Sequence, residues 1–190
     1  MNKVLALSLL LSIGLFSCKN AEKEIDKLQI AENYYAALDA SDGTVMNDLI
    51  TDSLLTKIPE YEYQEIFTKE RYIDKWLKWD SVFEPTYKIL HMVEENGTVK
   101  ATVSKIDARI NFLQQEPFIT NEILRFQNDR ISIIETEYTG FNEVLWQENR
   151  TKLLNWIEEN HPELNGFIYE QTKAGGLNYK KAIELFKNSQ

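Results

Sequence analysis

The stretch FITNEILRFQNDRISIIETEYTGF, residues 118–141, decides the fold of this chain. It is rich in the β-branched and aromatic residues that are typical of strands, and an Asn128-Asp129 pair divides it near the middle. Asn and Asp tolerate the positive φ of a tight turn better than other residues that carry a side chain. The stretch therefore predicts two antiparallel strands joined by a short turn.

Two further strands are predicted immediately upstream. Segments 87–94 and 98–112 flank an Asn-Gly pair at 96–97, the strongest short hairpin signal in the chain. Within 98–112 the apolar residues change from odd to even positions, so we expect a bulge near residues 104–105. Because bulges bend a sheet, the sequence predicts a curved antiparallel sheet whose inner side encloses a pocket.

Segments whose apolar residues have helical spacing lie before and after these strands in the sequence. The predicted helices are 24–38, a short one ending near residue 50, 69–79, 142–160 and 178–187. Thr68 and Asn142 are well placed to cap two of them, and Gly175 and Gly176 predict a loop before the last. Residues 54–63 predict an irregular segment or a short strand. The fold class is α+β: N-terminal helices on a cone-shaped curved antiparallel sheet, followed by a helical C-terminal extension over 143–190.

The first 18 residues have the pattern of an export signal. Lys3 supplies a positive start, and the apolar run at 4–16 is too short to span a membrane. The Leu-Phe-Ser-Cys at 15–18 resembles the lipobox of bacterial lipoproteins, which implies a lipid on Cys18, the only cysteine. We expect a lipid-anchored protein of the cell envelope, at an outer membrane, with residues 19–23 as a tether. The alternative is a secretion signal followed by a chance cysteine.

Composition and motifs argue against several functional classes. A net charge of −9 without a basic cluster argues against nucleic acid as a partner. The two histidines, His91 and His161, are far apart in the sequence, which makes a zinc site improbable. The sequence has no phosphate-binding glycine loop, nucleotide fingerprint or nucleophile elbow. We therefore expect no cofactor, no metal and no covalent-intermediate hydrolase.

Three segments together resemble the nuclear transport factor 2-like superfamily and its SnoaL-like branch. They are IAENYYAALDASDGTVMNDLI (30–50), TKERYIDKWL (68–77) and LRFQNDRISIIETEY (124–138). The resemblance covers roughly residues 24–142, which we take as the domain. The turn at 128–131 lacks the family's glycine, and Thr139 stands where an acid often follows the tyrosine. The resemblance implies a cone in which enzymatic members place an Asp, His or Tyr for proton transfer.

Asp107, Arg109 and His91 are the first candidate site residues. On the predicted strand 98–112, Asp107 and Arg109 alternate with apolar residues, so that Asp107 could act as a general base with His91 as its partner. The alternative, which we favour, is that Asp107 and Arg109 lie on the solvent face of that strand and pair with acids such as Glu122.

Two tyrosines and one further acid complete the candidate set. Tyr35 on the first helix and Tyr138 near the end of the last strand could donate hydrogen bonds at the mouth of the pocket. Asp80 could line the entrance of the cone. For the tyrosines the alternative is ordinary packing, with a buried ring and a solvated hydroxyl.

Three functions stay open on these grounds. We favour a membrane-anchored binding module for a small apolar ligand or a partner protein, because no catalytic motif is evident. The first alternative is a cofactor-free isomerase, cyclase or dehydratase of the SnoaL-like type, which uses general acid–base chemistry. The second is a structural homodimer. Whether the protein is an enzyme is left open, with a preference for none.

Overall fold

The computed structural model describes residues 26–190. The predicted signal segment, Cys18 and the tether over 19–23 lie outside the described residues, as does the start of the domain predicted from residue 24. Among residues 26–190, no helix combines the length and the apolar character that a membrane span needs.

Two helices and a two-stranded ribbon open the described chain. Helix α1 (Lys27–Asp39) is capped by Asp26, and α2 (Gly43–Leu49) is capped by Asp42, whose carboxylate accepts hydrogen bonds from two backbone amides. Strands β1 (Ile50–Ile58) and β2 (Tyr63–Thr68) follow, with a 3₁₀ turn at Pro59–Tyr61 between them. Of the two alternatives predicted for residues 54–63, an irregular segment or a short strand, the structure has the strand, and Pro59 begins the turn that separates β1 from β2.

The next helical segment contains a π-helical turn. It runs as α3 (Lys69–Arg71), the π turn (Tyr72–Leu77) and α4 (Lys78–Ser81), and Thr68 caps it as predicted. The rings of Tyr72 and Trp76 stack with centroids 4.8 Å apart. π turns are rare and often lie at functional sites. Here both rings line the cavity inside the cone.

Four strands form the rest of the sheet: β3 (Thr86–Glu95), β4 (Thr98–Ile106), β5 (Phe118–Gln127) and β6 (Arg130–Gly140). The strand order is β2-β1-β6-β5-β4-β3, and all pairs are antiparallel except β1 with β6. Both predicted hairpin turns have positive φ at their two central residues, 51° and 77° at 96–97 and 48° and 61° at 128–129. The predicted α+β class with a curved sheet is confirmed.

The predicted single strand over 98–112 is wrong. Strand β4 ends at Ile106 and pairs with β5 in an unbroken register, so no bulge occurs at 104–105. Asp107 caps a new helix, α5 (Ala108–Gln114), through a 2.6 Å hydrogen bond from the Ile110 amide to its carboxylate. The apparent change of face in the sequence is thus the start of a helix. The irregularities that bend the sheet lie elsewhere, for example between Ile89 and His91 in β3.

The C-terminal part packs on one end of the cone with a core of its own. It consists of α6 (Glu143–Asn160), 3₁₀ turns at Pro162–Leu164 and Phe167–Tyr169, and α7 (Lys173–Asn188). Its buried residues pack against Trp79, Phe83 and Leu113 of the preceding domain. They are Leu153, Ile157, Leu164, Phe167, Tyr179, Ala182 and Ile183.

The loop predicted at Gly175 and Gly176 is wrong, because both residues lie in the first turns of α7. A Cβ atom on Gly175 would lie 2.0 Å from the Glu170 carbonyl oxygen, and one on Gly176 would lie 3.1 Å from the Trp79 carbonyl oxygen. The two glycines therefore permit close approach of backbone rather than a turn. They let the first turns of α7 lie directly against the segment before it, at Glu170, and against α4, at Trp79.

Candidate functional site

The inner face of the sheet and the helices enclose a cavity of about 620 Å³. Ten of its 24 lining residues are aromatic and six are charged, and one, Gln171, comes from the segment before α7. The lining residues are Tyr34, Leu38, Thr56, Lys57, Ile58, Tyr61, Tyr63, Glu65, Phe67, Tyr72, Trp76, Trp79, Asp80, Tyr87, Val103, Lys105, Arg109, Phe118, Thr120, Glu122, Ile134, Thr136, Tyr138 and Gln171. A cavity of this size and composition suits a small, largely apolar molecule.

Glu122 is the acid on the inner face of β5. Its Oε2 accepts a 2.9 Å hydrogen bond from the Tyr35 hydroxyl on α1, and its Oε1 accepts a 3.0 Å hydrogen bond from Thr120. Burial raises the pKa of Glu122, and these two hydrogen bonds and the charge of Lys105 offset that rise only in part. Glu122 is therefore a carboxyl group that exchanges its proton closer to neutral pH than an ordinary glutamate.

Asp80 and Lys105 form a second polar group on the wall. Asp80 is fully buried, and its two oxygens accept hydrogen bonds from Lys105 Nζ at 2.5 Å and from the Tyr87 hydroxyl at 2.9 Å. The Lys105 ammonium also lies 4.9 Å from the centre of the Tyr87 ring. Both oxygens of Asp80 are engaged, one of them by a cation, so the residue holds Lys105 and Tyr87 in position.

Arg109 lines the cavity from α5, and Asp107 lies behind it. Arg109 Nη2 is 3.5 Å from Asp107 Oδ2, but that oxygen accepts no hydrogen bond and Arg109 Nε donates none within the described chain. The guanidinium is instead surrounded by rings, with centroids 4.9 Å away in Trp79 and 5.5 Å away in Phe83 and Trp146. Asp107 is therefore a helix cap next to a cation, not a strand residue facing solvent.

The tyrosines of the wall are uncharged hydrogen-bonding groups. The hydroxyls of Tyr34 and Tyr72 are 2.8 Å apart and bond to each other, and burial raises the pKa of both. Burial also raises the pKa of Tyr138, whose ring packs on Phe118. They can donate or accept a hydrogen bond but do not ionise at physiological pH.

The structure brings together three of the six predicted residues in the cavity wall: Asp80, Arg109 and Tyr138. Tyr35 is buried just outside it and holds Glu122. His91 is exposed on β3, opposite Thr102, and does not line the cavity, so the predicted pairing of His91 with Asp107 is wrong. The bulge between Ile89 and His91 removes His91 from the inward face that strict alternation assigns to it.

Sequence reasoning missed Glu122 and Lys105 as site residues. It placed Glu122 only as a solvent-face partner of Asp107 and Arg109, and that pairing is wrong because β4 ends before both of them. A usable signal existed, since Glu122 shares its strand face with Phe118 and Leu124, and an acid on an apolar face is expensive unless it is paired or functional. Lys105 had no comparable signal, because its partner Asp80 lies on a distant helix.

Residues 26–190 hold no cluster of three or more histidine, cysteine, aspartate or glutamate side chains arranged to bind a metal ion. The chemistry that the described groups can supply is proton exchange at Glu122 and hydrogen bonding or charge stabilisation from Lys105, Arg109 and the tyrosines.

No family model matches the chain, and no curated protein matches its sequence. Solved structures do match. IdmH, a candidate polyketide cyclase from Streptomyces antibioticus, has a TM-score of 0.51 at 11% identity, over 66% of this chain and 99% of that chain. A candidate ketosteroid isomerase from Kribbella flavida has a TM-score of 0.50 at 10% identity, over 62% and 80%. A protein of unknown function with a cystatin-like fold from Methylobium petroleophilum has a TM-score of 0.50 at 11% identity, over 61% and 77%.

Identities this low establish likeness of fold and nothing about activity. The order of helices before a curved sheet, the closing hairpin and the cavity on the inner face agree with that likeness. The chain therefore has the same fold as these solved structures, a cone-shaped curved sheet packed by helices, which is the fold that the sequence predicts.

Proposed function

We propose that this protein is a cofactor-free enzyme that moves a proton on a small, largely apolar substrate bound in the cone, in an isomerisation, cyclisation or dehydration. Glu122 is the general acid–base group. We prefer this proposal to the binding module that we favoured from the sequence, because a carboxyl group on a cavity wall, held by two hydrogen bonds and with a pKa that burial raises, is typical of a proton-transfer site.

The observation that carries the proposal is the setting of Glu122. Both of its oxygens are oriented, by Tyr35 and by Thr120, and the side chain lies on the wall of an aromatic cavity. A general base works best when its pKa is near the working pH and its position is held rigidly. Glu122 is held by two hydrogen bonds, and burial raises its pKa in the direction of that range.

The step assigned to Glu122 conserves charge within the cavity. The ionised carboxylate removes a proton from a carbon atom beside a carbonyl group, and the electron pair moves onto the carbonyl oxygen of the substrate. Protonated Glu122 then returns the proton to another carbon atom, which restores the carboxylate and completes an isomerisation. Lys105 and Tyr138 are wall groups available to stabilise the oxygen while it carries negative charge.

Hydrogen exchange tests the proposal with simple ketones in place of the natural substrate. Two ketones, 2-tetralone and 5-androstene-3,17-dione, are incubated with the protein in deuterated buffer, and deuterium at the carbon atoms next to the carbonyl is followed by NMR. We expect exchange to be faster than in buffer alone, and to fall at least about a hundredfold in Glu122→Gln. The matched control is Glu137→Gln, on the exposed outer face of β6.

Equal exchange in the wild type and in Glu122→Gln would overturn the proposal. So would binding of the ketones, measured by calorimetry, without any acceleration of exchange, and that result would favour the binding module. The isomerised product of the steroid, detected by its ultraviolet absorbance, would further identify the reaction class.

The cellular address is a separate proposal that rests on residues 15–18. We propose that Cys18 carries lipid and that the protein is anchored in the envelope, where the cavity meets apolar substrates from the membrane. Labelling with radioactive palmitate is expected in the wild type and absent in Cys18→Ala. Label in both variants, or in neither, would contradict it. The predicted homodimer stays a prediction that sedimentation can check.

A further inference from the structure

Arg109 is a cation whose surroundings do not use its hydrogen-bonding capacity. Its side chain is 15% exposed, and the Asp107 side chain beside it is fully buried. Their closest atoms are 3.5 Å apart, yet Asp107 Oδ2 and Arg109 Nε both lack a hydrogen-bond partner within residues 26–190. Buried polar groups are rarely left unpaired, because an unmet hydrogen bond destabilises the fold, so this arrangement calls for a reason.

The rings around Arg109 provide that reason. Trp79 and Phe83 from the cone and Trp146 from α6 hold the guanidinium within 4.9–5.5 Å of their centroids. Arginine and aspartate normally form a planar, two-point pair. Here the rings keep the guanidinium at the cavity wall, and the Oδ1 atom of Asp107 is occupied in capping α5. The rings therefore preorganise a donor toward the cavity.

The charges of the wall favour an anionic partner for this donor. Three cations line the cavity, Lys57, Lys105 and Arg109, against the three acids Glu65, Asp80 and Glu122. Lys105 is engaged by Asp80, and burial favours the uncharged form of Glu122. When Glu122 carries its proton, the residues that line the wall have one positive charge in excess. Asp107, behind the wall, lies 3.5 Å from Arg109 but accepts no hydrogen bond from it, so the guanidinium keeps its donors for a ligand.

We propose that Arg109 binds a carboxylate group of the ligand, and that the natural substrate is a small aromatic or alicyclic monocarboxylic acid. The guanidinium matches a carboxylate in planar, two-point geometry, while the tyrosine and tryptophan rings of the wall accommodate the ring of the ligand. Arg109 acts here as a specificity-determining residue, and Trp146 of the C-terminal extension is a positioning residue that holds it.

This inference rests on the proposed function in one respect, because it places the ligand in the same cavity. The two proposals are tested at different residues. Glu122 governs proton transfer, whereas Arg109 governs which molecules bind.

Two probes of the same shape separate charge from packing. Calorimetric titrations of the purified protein with 2-naphthoate and with the uncharged 2-naphthamide are carried out at pH 7.5. We expect 2-naphthoate to bind about tenfold tighter or more, as a charge-assisted pair with arginine would provide. In Arg109→Gln the preference is expected to disappear, while Arg109→Lys retains part of it because the charge remains.

The control is Arg125→Gln, which removes an arginine of the outer sheet face that pairs with Glu135 and should leave the preference unchanged. Circular dichroism confirms that each variant is folded.

Trp146→Leu is a second test variant. It leaves Arg109 in place but removes one of the three rings around the guanidinium. We expect Trp146→Leu to weaken 2-naphthoate binding and to leave 2-naphthamide binding nearly unchanged.

Three results would overturn the inference. They are equal affinities for the two probes in the wild type, an acid preference that survives in Arg109→Gln, and no binding of either probe at millimolar concentration. Glu122→Gln distinguishes the two proposals: if it abolishes hydrogen exchange but keeps the acid preference, both stand. If it leaves exchange unchanged while Arg109→Gln removes the preference, only the proposed reaction fails.

Discussion

The hydroxyl of Tyr35 donates a 2.9 Å hydrogen bond to Glu122 Oε2, which joins the first helix to the inner face of β5 across 87 positions of sequence. The bond fixes the acid that we assign to proton transfer. It also relates the pKa of that acid to the packing of α1, because the tyrosine is buried and cannot move away without disturbing the core.

Glu122 is expected to destabilise the folded protein at neutral pH. Its folded pKa is raised, so between about 4.3, the ordinary value, and that raised pKa the folded state binds more protons than the unfolded state. Stability therefore falls as pH rises through this window. Glu122→Gln, which stays uncharged, should melt a few degrees higher than the wild type at pH 7.5 and show a smaller difference at pH 4.

Thermal unfolding followed by circular dichroism at several pH values checks this prediction. The groups that act directly on Glu122 are Tyr35 from α1, Thr120 from β5 and Lys105 from β4, and all are retained in the variant. A difference that is constant from pH 4 to pH 7.5 would contradict it. Glu137→Gln should show no such pH dependence, since Glu137 is exposed.

Removing the hydroxyl of Tyr35 should change both stability and the acid. Tyr35→Phe leaves Glu122 Oε2 without its donor, which costs about 1–3 kcal/mol and raises the pKa of Glu122 further, because that hydrogen bond favours the carboxylate. Urea unfolding measures the first effect. The pH dependence of ketone exchange measures the second effect: the rate rises as Glu122 loses its proton, and this rise is expected at higher pH in the variant.

Tyr34→Phe is the matched control for Tyr35→Phe. It removes an equally buried hydroxyl, which bonds to Tyr72 rather than to Glu122. We expect a similar loss of stability without the large change in the pH profile. Equal displacement of the profile in both variants would show that general loosening of the core, and not the hydrogen bond, sets the pKa.

Lys105 should be needed to keep Asp80 buried. Lys105→Met leaves a fully buried carboxylate with Tyr87 as its remaining hydrogen-bond donor, and breaking a buried pair in this way typically costs about 3–5 kcal/mol. The double variant with Asp80→Asn should recover a large part of that loss. A double-mutant cycle in urea measures the coupling, and additive losses would contradict a direct pair.

Gly175 should be intolerant of a side chain for reasons of space. A Cβ there would lie 2.0 Å from the Glu170 carbonyl oxygen, which is backbone, so Gly175→Ala must displace the segment that carries Gln171 to the cavity. We expect a loss of about 1–3 kcal/mol or more by chemical denaturation. Gly166 has φ of +87° with no atom within 4 Å of a Cβ. Gly166→Ala should therefore cost only backbone strain of about 1 kcal/mol.

A smaller loss at Gly175 than at Gly166 would contradict this account of close packing. The two variants are informative together, because alanine raises helix propensity at position 175 and would stabilise α7 if space allowed.

Local features of the chain could be predicted from the sequence because their causes are local. The Asn-Gly pair at 96–97 and the Asn-Asp pair at 128–129 define hairpin turns through their tolerance of positive φ, and the structure has both. Thr68 and Asn142 cap helices because their side chains reach the free amides of the next turn. The resemblance of three segments to a known fold extended this to the α+β cone.

The candidate site depended on relations that a linear pattern does not contain. Asp107 and Arg109 alternate with apolar residues, as polar residues do in a strand, but Asp107 caps a helix instead. Aspartate is common at both kinds of position, so the local pattern does not distinguish them. A bulge in β3 removed His91 from the inward face. In β3 a shift of one residue moved His91 to the other face of the sheet, whereas at Asp107 the strand had ended and a helix began.

The sequence by itself determined the turns, the caps, the class of fold and the expectation of an export signal that ends at Cys18, because each depends on neighbours within a few residues. Only the tertiary structure decided which charged groups share the cavity. Glu122 meets Tyr35, Asp80 meets Lys105, and Arg109 meets Trp146 across long stretches of chain. The physical reason is that burial and partners set the chemistry of an ionisable group, and both come from strand pairing and helix packing between distant segments.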